Sequence, residues 1–439
     1  MVNRHLTVSN RRQGRWDRLE FGPRSGLHRM CHLFLICLFL AFLPEHSAFS
    51  IEHKTAYETE LTEIDAGLAN LRRGQAASAS EVKQSLYLFY NRASLVGSPG
   101  DIKRAETEIE TALKQFGPVP DLYLIRASLE LKLHQIAEAK LDLARVTEGT
   151  VGSDVALLQA DIALQEGRLT DASSYCQKSI QLHRTWDGLA RLAYLKYLVG
   201  DFVAAEENYL AAESEITAKE MRSYAWVEVQ SGLLEFNQGH HREARVHYER
   251  ANKAYSGYWL VEGCLAEVDA AQGRFQPAIA RYESLIARVP KPEIQQALGD
   301  LYVFMGKPHE AKPWHDKALD AYLESARHGE VHYYHHLAAF YADVCEDGAE
   351  AVKWARADLE LRQNSAAFDA LAWALYRNGQ FTEALDTINK ALSSGVQDAH
   401  LLFHAAMIHL ASGRISDGRQ LLKRAAEINP HYESFHVHR

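Results

Sequence analysis

The sequence predicts an all-α solenoid built from about ten helix-turn-helix units. The main observation is a mark, usually glycine, that recurs about every 34 residues, at Gly100, His134, Gly167, Gly200, Gly239, Gly273, Gly306, Glu346, Gly379 and Gly413. An alanine follows each mark by five residues, except in the last unit, where Gly418 takes its place. A further small residue precedes each mark by seven positions, from Ala93 to Ala406. Repetition of this length in fixed phase is the signature of helical hairpins that stack on copies of themselves.

Each of these three positions has a place in a hairpin. The small residue before the mark lets the two helices approach closely, and the mark ends the first helix in a left-handed conformation that glycine adopts most easily. The alanine after the mark begins the second helix. Apolar residues between these points keep helical spacing, as in Leu371, Ala372, Leu375 and Tyr376 before Gly379. No segment alternates apolar and polar residues over a sustained length, so we expect almost no β-sheet.

The sequence resembles the tetratricopeptide repeat in three features. These are the small positions, the aromatic residues in the second helices, and closing prolines such as Pro290 and Pro430. The clearest copies are residues 297–319 and 368–392, and the resemblance covers residues 81–439. It implies a right-handed superhelix. The last units are also similar to the C-terminal halves of secreted bacterial tetratricopeptide proteins, which favours a bacterial source.

Two intervals between marks are longer than the others, those after Gly200 and after Gly306. We place the extra residues in lengthened second helices, near Glu213–Ser223 and Asp320–Val331. Each extension adds a turn or more, so it would change the path of the superhelix locally.

The first 50 residues differ from the rest of the chain. Leu33–Leu43 is an apolar run of eleven residues, which is the length of a signal-peptide core and short for a membrane span. We therefore expect a basic leader and signal peptide at residues 1–50, cleavage near Ser50, and an exported protein, periplasmic or secreted. The alternative is a membrane anchor through the same apolar run. Residues 51–80 are predicted to form an N-terminal helix or linker before the array.

Composition and motifs limit the function. The chain has 57 acidic and 48 basic residues, a formal charge of −9, whereas nonspecific nucleic-acid binding needs clustered Lys and Arg. The sequence has no GxSxG elbow, no GxxxxGK[ST] phosphate loop and no GxGxxG fingerprint. We predict a non-catalytic protein with a protein or peptide partner, no nucleic acid, no cofactor and no small-molecule substrate.

Histidine is unusually frequent, with 22 residues. His400 and His404 lie four positions apart, on one face of a predicted helix, and such a pair can hold a metal ion. No acidic residue completes an HExxH motif, and imidazoles also pack and cap helices. We therefore predict no metal site. The alternative is a histidine-based metal-binding protein of the cell envelope, which would require both imidazoles to face the same open surface with a third ligand nearby.

The resemblance also implies a binding surface, because the first helices of tetratricopeptide units line the concave face. The partner-binding residues predicted in this way are Tyr194, Tyr197, Trp226, Asn237, His336, Phe340, Asp343, Asp369, Trp373, Arg377, His400 and Met407. Aromatic residues dominate this set, and they are effective interface anchors. The basic residues with which some arrays clamp a C-terminal carboxylate are absent. The predicted function is a scaffold or adaptor that docks a peptide or a partner helix in this groove, in envelope assembly; the oligomeric state is left open.

Overall fold

The computed structural model describes residues 54–73, 79–97, 99–146 and 152–437. This part of the chain contains 21 α-helices and no β-strand, which confirms the predicted all-α solenoid. The helices are α1 (Ala56–Arg73), α2 (Ala79–Val96), α3 (Pro99–Phe116), α4 (Pro120–Lys132), α5 (Ile136–Val146), α6 (Ser153–Gln165), α7 (Leu169–Leu182), α8 (Trp186–Leu198), α9 (Phe202–Glu215), α10 (Met221–Asn237), α11 (His241–Ala254), α12 (Trp259–Ala271), α13 (Phe275–Arg288), α14 (Pro292–Phe304), α15 (Pro308–Arg327), α16 (Tyr334–Asp343), α17 (Gly348–Leu361), α18 (Ser365–Arg377), α19 (Phe381–Ser393), α20 (Ala399–Ala411) and α21 (Ile415–Ile428).

The predicted leader, signal peptide and cleavage position lie outside the described residues. Within them, no helix combines the length and the apolar composition that crossing a membrane requires. Helix α1 precedes the array and packs on α2.

Ten helical hairpins follow α1 in the described chain. Each even-numbered helix from α2 to α20 packs most extensively on the helix that follows it, so the hairpins run from α2/α3 to α20/α21. We number these hairpins as units 1 to 10 and call the two helices of a unit its first and second helix. The number of units agrees with the sequence prediction.

Nine of the ten marks end a first helix in the left-handed region, as predicted. The seven glycines from Gly167 to Gly413 in this set have φ values of 72–79°, and the two other residues, His134 and Glu346, have φ values of 60° and 53°. Gly100 is the exception, because it lies in the first turn of α3. The residue that ends α2 is instead Gly97, with φ of 64°.

The small positions inside the hairpins are required by close packing. A Cβ atom at Gly232 in α10 would overlap the ring of Tyr248 in α11, and one at Gly299 in α14 would overlap the imidazole of His315 in α15. Both neighbours are buried. The prediction that small residues permit the approach of the two helices is confirmed at these positions.

One of the two predicted helix extensions is wrong. Helix α15 has 20 residues, as expected for a lengthened second helix, but α9 ends at Glu215. There the extra residues form a loop and lengthen the first helix of the next unit, α10, to 17 residues. The loop contains a turn in which the carboxylate of Glu220 accepts hydrogen bonds from the amide N–H (3.1 Å) and hydroxyl (2.7 Å) of Thr217. This Thr-x-x-Glu pattern is a helix-start signal, and it interrupts the helix that periodicity alone would continue.

Successive turns of the superhelix touch each other, each unit meeting the unit six positions later. The carbonyl of Gly97 at the end of the first helix of unit 1 accepts from Lys291 Nζ at the start of unit 7, at 2.7 Å. Unit 2 meets unit 8 where the His134 and His332 rings stack with centroids 5.9 Å apart.

Units 3 and 4 repeat this contact with units 9 and 10 through backbone hydrogen bonds. The amide of Gln363 donates to the carbonyl of Gln165 at 3.1 Å, and the amide of Gln397 donates to the carbonyl of Leu198 at 2.8 Å. The concave face of the array is therefore the wall of an internal channel.

Candidate functional site

The channel contains a central cavity of about 1160 Å³. The first helices of units 4, 7, 8, 9 and 10 line it together with α15, the second helix of unit 7, so its walls come from both touching turns of the superhelix. Its polar and aromatic lining includes Tyr194, Gln296, Asp300, His315, His335, His336, Asp343, Arg362, Asp369, Trp373, His400 and His404.

A second cavity of about 640 Å³ continues the channel toward the N-terminal units. It is lined by residues of units 1–6, among them Arg191, Arg222 and Trp226. Tyr194 lines both cavities and is 40% exposed, although its neighbours in α8 are largely packed. An occupant of the channel would therefore contact this ring at the junction of the two cavities.

The structure brings eight of the twelve predicted partner-binding residues to these cavities. Those of the central cavity are Tyr194, His336, Phe340, Asp343, Asp369, Trp373 and His400, and Trp226 lines the second cavity. Phe340 is only 1% exposed and packs edge-on against His315, with centroids 5.6 Å apart, so its ring belongs mainly to the core. The role of all these residues in partner binding stays a prediction.

The other four predicted residues, Tyr197, Asn237, Arg377 and Met407, are not among those that line either cavity. The Tyr197 hydroxyl accepts from Asn237 Nδ2 at 2.9 Å and donates to Asp398 at 3.4 Å. Asp398 caps the first helix of unit 10, so Tyr197 joins the two turns of the superhelix. Arg377 donates to the carbonyl of Ala342 at 2.8 Å, between units 9 and 8.

Trp373 organises one wall of the central cavity. Its indole N–H donates to the carboxylate of Asp343 at 2.9 Å, and its ring stacks on His404 with centroids 4.0 Å apart and an angle of 8°. Burial raises the pKa of Asp343 to about 6, although the hydrogen bond from Trp373 and the charge of Arg377 oppose this shift. The indole is therefore held on both sides by polar groups of neighbouring units.

Asp369, His400 and His404 form the most compact polar cluster of this wall. Nδ1 of His404 lies 3.1 Å from Oδ1 of Asp369, and the His400 and His404 rings are 4.1 Å apart. Burial raises the pKa of Asp369 to about 7 and lowers the pKa of each imidazole to about 3. Both imidazoles are therefore neutral at neutral pH.

The segment that follows α21 turns into the channel, which the sequence analysis did not predict. Phe435 is 2% exposed and packs edge-on against Phe304, with centroids 5.7 Å apart. The amide N–H of Val437 donates to Oε1 of Glu267 at 2.8 Å, and the His436 ring lies 3.2 Å from Asn237 Oδ1. We call residues 429–437 the inserted segment. Phe435 and Val437, two apolar residues among histidines and other polar residues, were the sign of this docking in the sequence.

The inserted segment contacts unit 5 in the way that a further unit, six positions after unit 5, would contact it. Gly239 ends the first helix of unit 5, and a Cβ atom there would lie 2.6 Å from Oδ1 of Asn429. Units 1–4 make the equivalent contact with units 7–10. The segment thus completes the second turn of the superhelix and brings Phe435, His436 and Val437 into the lining of the central cavity.

The stacked hairpins form a helical-repeat solenoid that encloses a channel. The sequence matches the tetratricopeptide repeat family over residues 370–433, which comprise most of units 9 and 10 and the start of the inserted segment. The resemblance to the tetratricopeptide repeat is confirmed over these residues. This fold is typical of scaffolds for protein–protein interaction and is generally non-catalytic. No curated protein matches the sequence.

Several solved structures have similar arrangements of helices at low sequence identity. The human IFIT1 dimer with PPP-AAAA is 12% identical, with 84% of this chain and 94% of that chain covered and a TM-score of 0.44. The APC/C hetero-tetramer Cut9-Hcn1 is 14% identical, covering 85% and 80%, with a TM-score of 0.41. A tetratricopeptide repeat protein from Parabacteroides merdae is 21% identical, covering 56% and 94%, with a TM-score of 0.33. All three scores are below 0.5, so none of these likenesses bears on function.

Proposed function

We propose that this protein is a non-catalytic scaffold whose channel binds an extended segment of a protein partner. The observation that carries the proposal is the inserted segment, which already lies in the central cavity. Its contacts are those of a bound peptide: an aromatic anchor at Phe435 and a backbone amide captured by the Glu267 carboxylate. The channel walls supply further aromatic surface at Tyr194 and Trp373.

The shape and charge of the channel define the class of partner. Because the turns of the superhelix touch, an extended segment fits the channel better than a folded domain does. Asp300, Asp343 and Asp369 line the central cavity, and the chain carries a formal charge of −9. A neutral or basic segment with an aromatic residue is therefore the expected partner, and nucleic acid is disfavoured.

A peptide-binding measurement tests this proposal. The probe is a fluorescein-labelled peptide with the sequence of residues 429–439, and the host is the full chain carrying Phe435→Ala, whose own segment holds the channel less firmly. We expect saturable binding by fluorescence anisotropy, with weaker binding to the chain that retains Phe435. A labelled peptide with alanine at the position of Phe435 is the matched control. Absence of binding, or equal binding of both peptides, would contradict the proposal.

Partner capture then connects the channel to a cellular role. Crosslinking with the intact chain and with a folded Tyr194→Ala/Trp373→Ala variant should recover a protein that the variant loses. Equal recovery with both chains would place the interface outside the channel. The predicted role in envelope assembly requires that the recovered partner be a component of the cell envelope.

We also propose that the protein is exported, on the basis of the apolar run 33–43 and the small residues near Ser50. Mass spectrometry of the protein from its native host should find an N-terminus near Ile51 in the periplasmic or secreted fraction. An uncleaved chain in the membrane fraction would support the alternative, an anchor formed by the same run.

A further inference from the structure

Two helices of neighbouring units place three metal-ligating side chains together in the wall of the central cavity. His400 and His404 are one turn apart on α20, and Asp369 is on α18. One ligand atom from each residue lies within 4.8 Å of the other two. The separation of His404 Nδ1 and Asp369 Oδ1, 3.1 Å, is close to the distance between two ligands of one ion whose bonds are about 2.0–2.2 Å long.

The surroundings of the cluster suit a cation. Within the described chain, the only ion-pair partner of the Asp369 carboxylate is His404, and no hydrogen bond joins the His400 ring to another residue. No lysine or arginine therefore neutralises this carboxylate directly, and each imidazole beside it has a ring nitrogen that can act as a ligand. A purely structural role, as a buried histidine hydrogen-bonded to Asp369, would explain His404. It would not explain why the His400 ring lies beside the same carboxylate.

Neighbouring side chains also hold the ligands in position. The indole of Trp373 covers one face of His404 at 4.0 Å and is itself fixed by its hydrogen bond to Asp343. His404 is 4% exposed, so its ring has little freedom to turn. Supporting contacts of this kind orient the ligands of metal sites and raise their affinity. His400 lines the cavity, so one side of the cluster is open to it.

We propose that Asp369, His400 and His404 form a binding site for one divalent transition-metal ion, of the Zn²⁺ class. Two imidazole nitrogens and a carboxylate oxygen are a donor set for Zn²⁺ and for Co²⁺, which prefer nitrogen more than Mg²⁺ or Ca²⁺ do. Three protein ligands leave at least one coordination position for water or for a donor atom of a molecule in the cavity. This site does not depend on the proposed function of the channel.

The test is a titration of the full chain, freed of metal by a chelator, with Zn²⁺ in competition with a chromophoric chelator. The test variants are His400→Ala and Asp369→Asn, and the latter keeps the volume of the side chain and a hydrogen-bond acceptor for His404. His328→Ala is the matched control, because it removes an exposed imidazole at the C-terminal cap of α15. We expect one ion per chain for the native and control proteins, and a loss of affinity of about 10- to 100-fold or more for the test variants.

Co²⁺ absorption supplies a second readout, which reports nitrogen and oxygen ligation directly. The visible bands of the Co²⁺ protein should disappear in His400→Ala, while circular dichroism confirms that the helices persist. The proposal is overturned if the native chain binds no Zn²⁺. It is equally overturned if the two test variants bind as tightly as His328→Ala, because surface histidines would then account for the binding.

Discussion

The backbone amide of Gln397 donates a 2.8 Å hydrogen bond to the carbonyl of Leu198, which joins unit 10 to unit 4. This bond is one of a series in which the end of a first helix meets the start of the first helix six units later. The series turns an open groove into an enclosed channel. The contacts that close the channel are made by residues at the ends of helices. The space available there for a side chain in place of glycine differs from unit to unit.

Gly167 and Gly273 have the same φ of 73° but different surroundings, which makes them a matched pair. A Cβ atom at Gly167 would lie 2.8 Å from the carbonyl oxygen of Gln363 in unit 9, whereas one at Gly273 would meet nothing within 4 Å. Gly273→Ala should cost about 1–2 kcal/mol of backbone strain. Gly167→Ala should cost about 1–3 kcal/mol more, because it also forces the two turns apart.

The urea midpoint and the radius of gyration from small-angle scattering check this prediction. We expect both variants to lose stability and only Gly167→Ala to expand. Equal losses with unchanged dimensions would mean that the contact between turns contributes little in solution.

Gly232 and Gly263 both lie inside first helices, but only Gly232 lies directly against an aromatic ring. Gly232→Ala would drive a methyl group into the buried Tyr248, so we expect a destabilisation of about 1–3 kcal/mol. At Gly263 the nearest atom to a new Cβ would be Leu285 Cδ2 at 4.0 Å. Gly263→Ala should therefore be stabilising by up to about 1 kcal/mol, from helix propensity. Thermal midpoints of the two variants should shift in opposite directions; a shared direction would refute this packing argument.

Glu130 makes the stability of unit 2 depend on pH. Burial and the charge of Asp142 raise its pKa from 4.5 to about 7, although Arg126 opposes the shift. Between these two values the folded chain holds a proton that the unfolded chain has released, so stability falls as the pH rises from about 4.5 to about 7. Glu130→Gln should remove this loss and stabilise the protein at pH 8 by about 1–3 kcal/mol.

Thermal midpoints at pH 5 and pH 8 measure this effect. The variant should gain at pH 8 and change little at pH 5. Glu108→Gln, at an exposed position of the neighbouring unit 1, is the control and should leave the difference between the two midpoints unchanged. An equal effect of both substitutions would show that general charge, and not the burial of Glu130, sets the pH dependence.

Glu346 ends the first helix of unit 8 with a φ of 53°, where the other units from 3 to 10 have glycine. Its side chain is 77% exposed and forms a 3.4 Å ion pair with Arg377. Glu346→Gly should stabilise the protein by about 0.5–1 kcal/mol, because the relief of strain exceeds the added entropy of the unfolded chain. Glu346→Ala loses the same ion pair but keeps the Cβ atom, so it should give no gain. Denaturant midpoints that rank the alanine variant equal to the glycine variant would contradict the prediction.

The hairpins could be predicted from the sequence because their determinants are local. Gly200, Ala193 and Ala205 lie within a few turns of each other, and each acts on the helix in which it sits or on the next one. The error at Gly100 also concerns a helix end: Gly100 keeps the register of the repeat with Ala93 and Ala105, but α2 already ends at Gly97, three residues earlier. The prediction that α9 is lengthened was wrong because the helical spacing of apolar residues continues past Glu215. The chain turns there instead, where Thr217 donates two hydrogen bonds to Glu220.

The candidate site could be predicted only in part, because periodicity assigns a residue to a helix face but not to a neighbour. The resemblance to the tetratricopeptide repeat placed Tyr194, Trp373 and His400 on the faces that line the channel. It could not assign Tyr197 to the bond with Asp398, since that contact joins units far apart in the sequence.

By itself, the sequence determined the helices, the ten units and the residues that end most first helices, since each depends on interactions within about one repeat. Only the tertiary structure decided that unit 4 touches unit 10, that Asp369 reaches His400 and His404, and that Phe435 enters the channel. These contacts depend on the small rotation between successive units, which accumulates over six of them. No short stretch of sequence encodes that sum, so it becomes visible only when the whole superhelix is built.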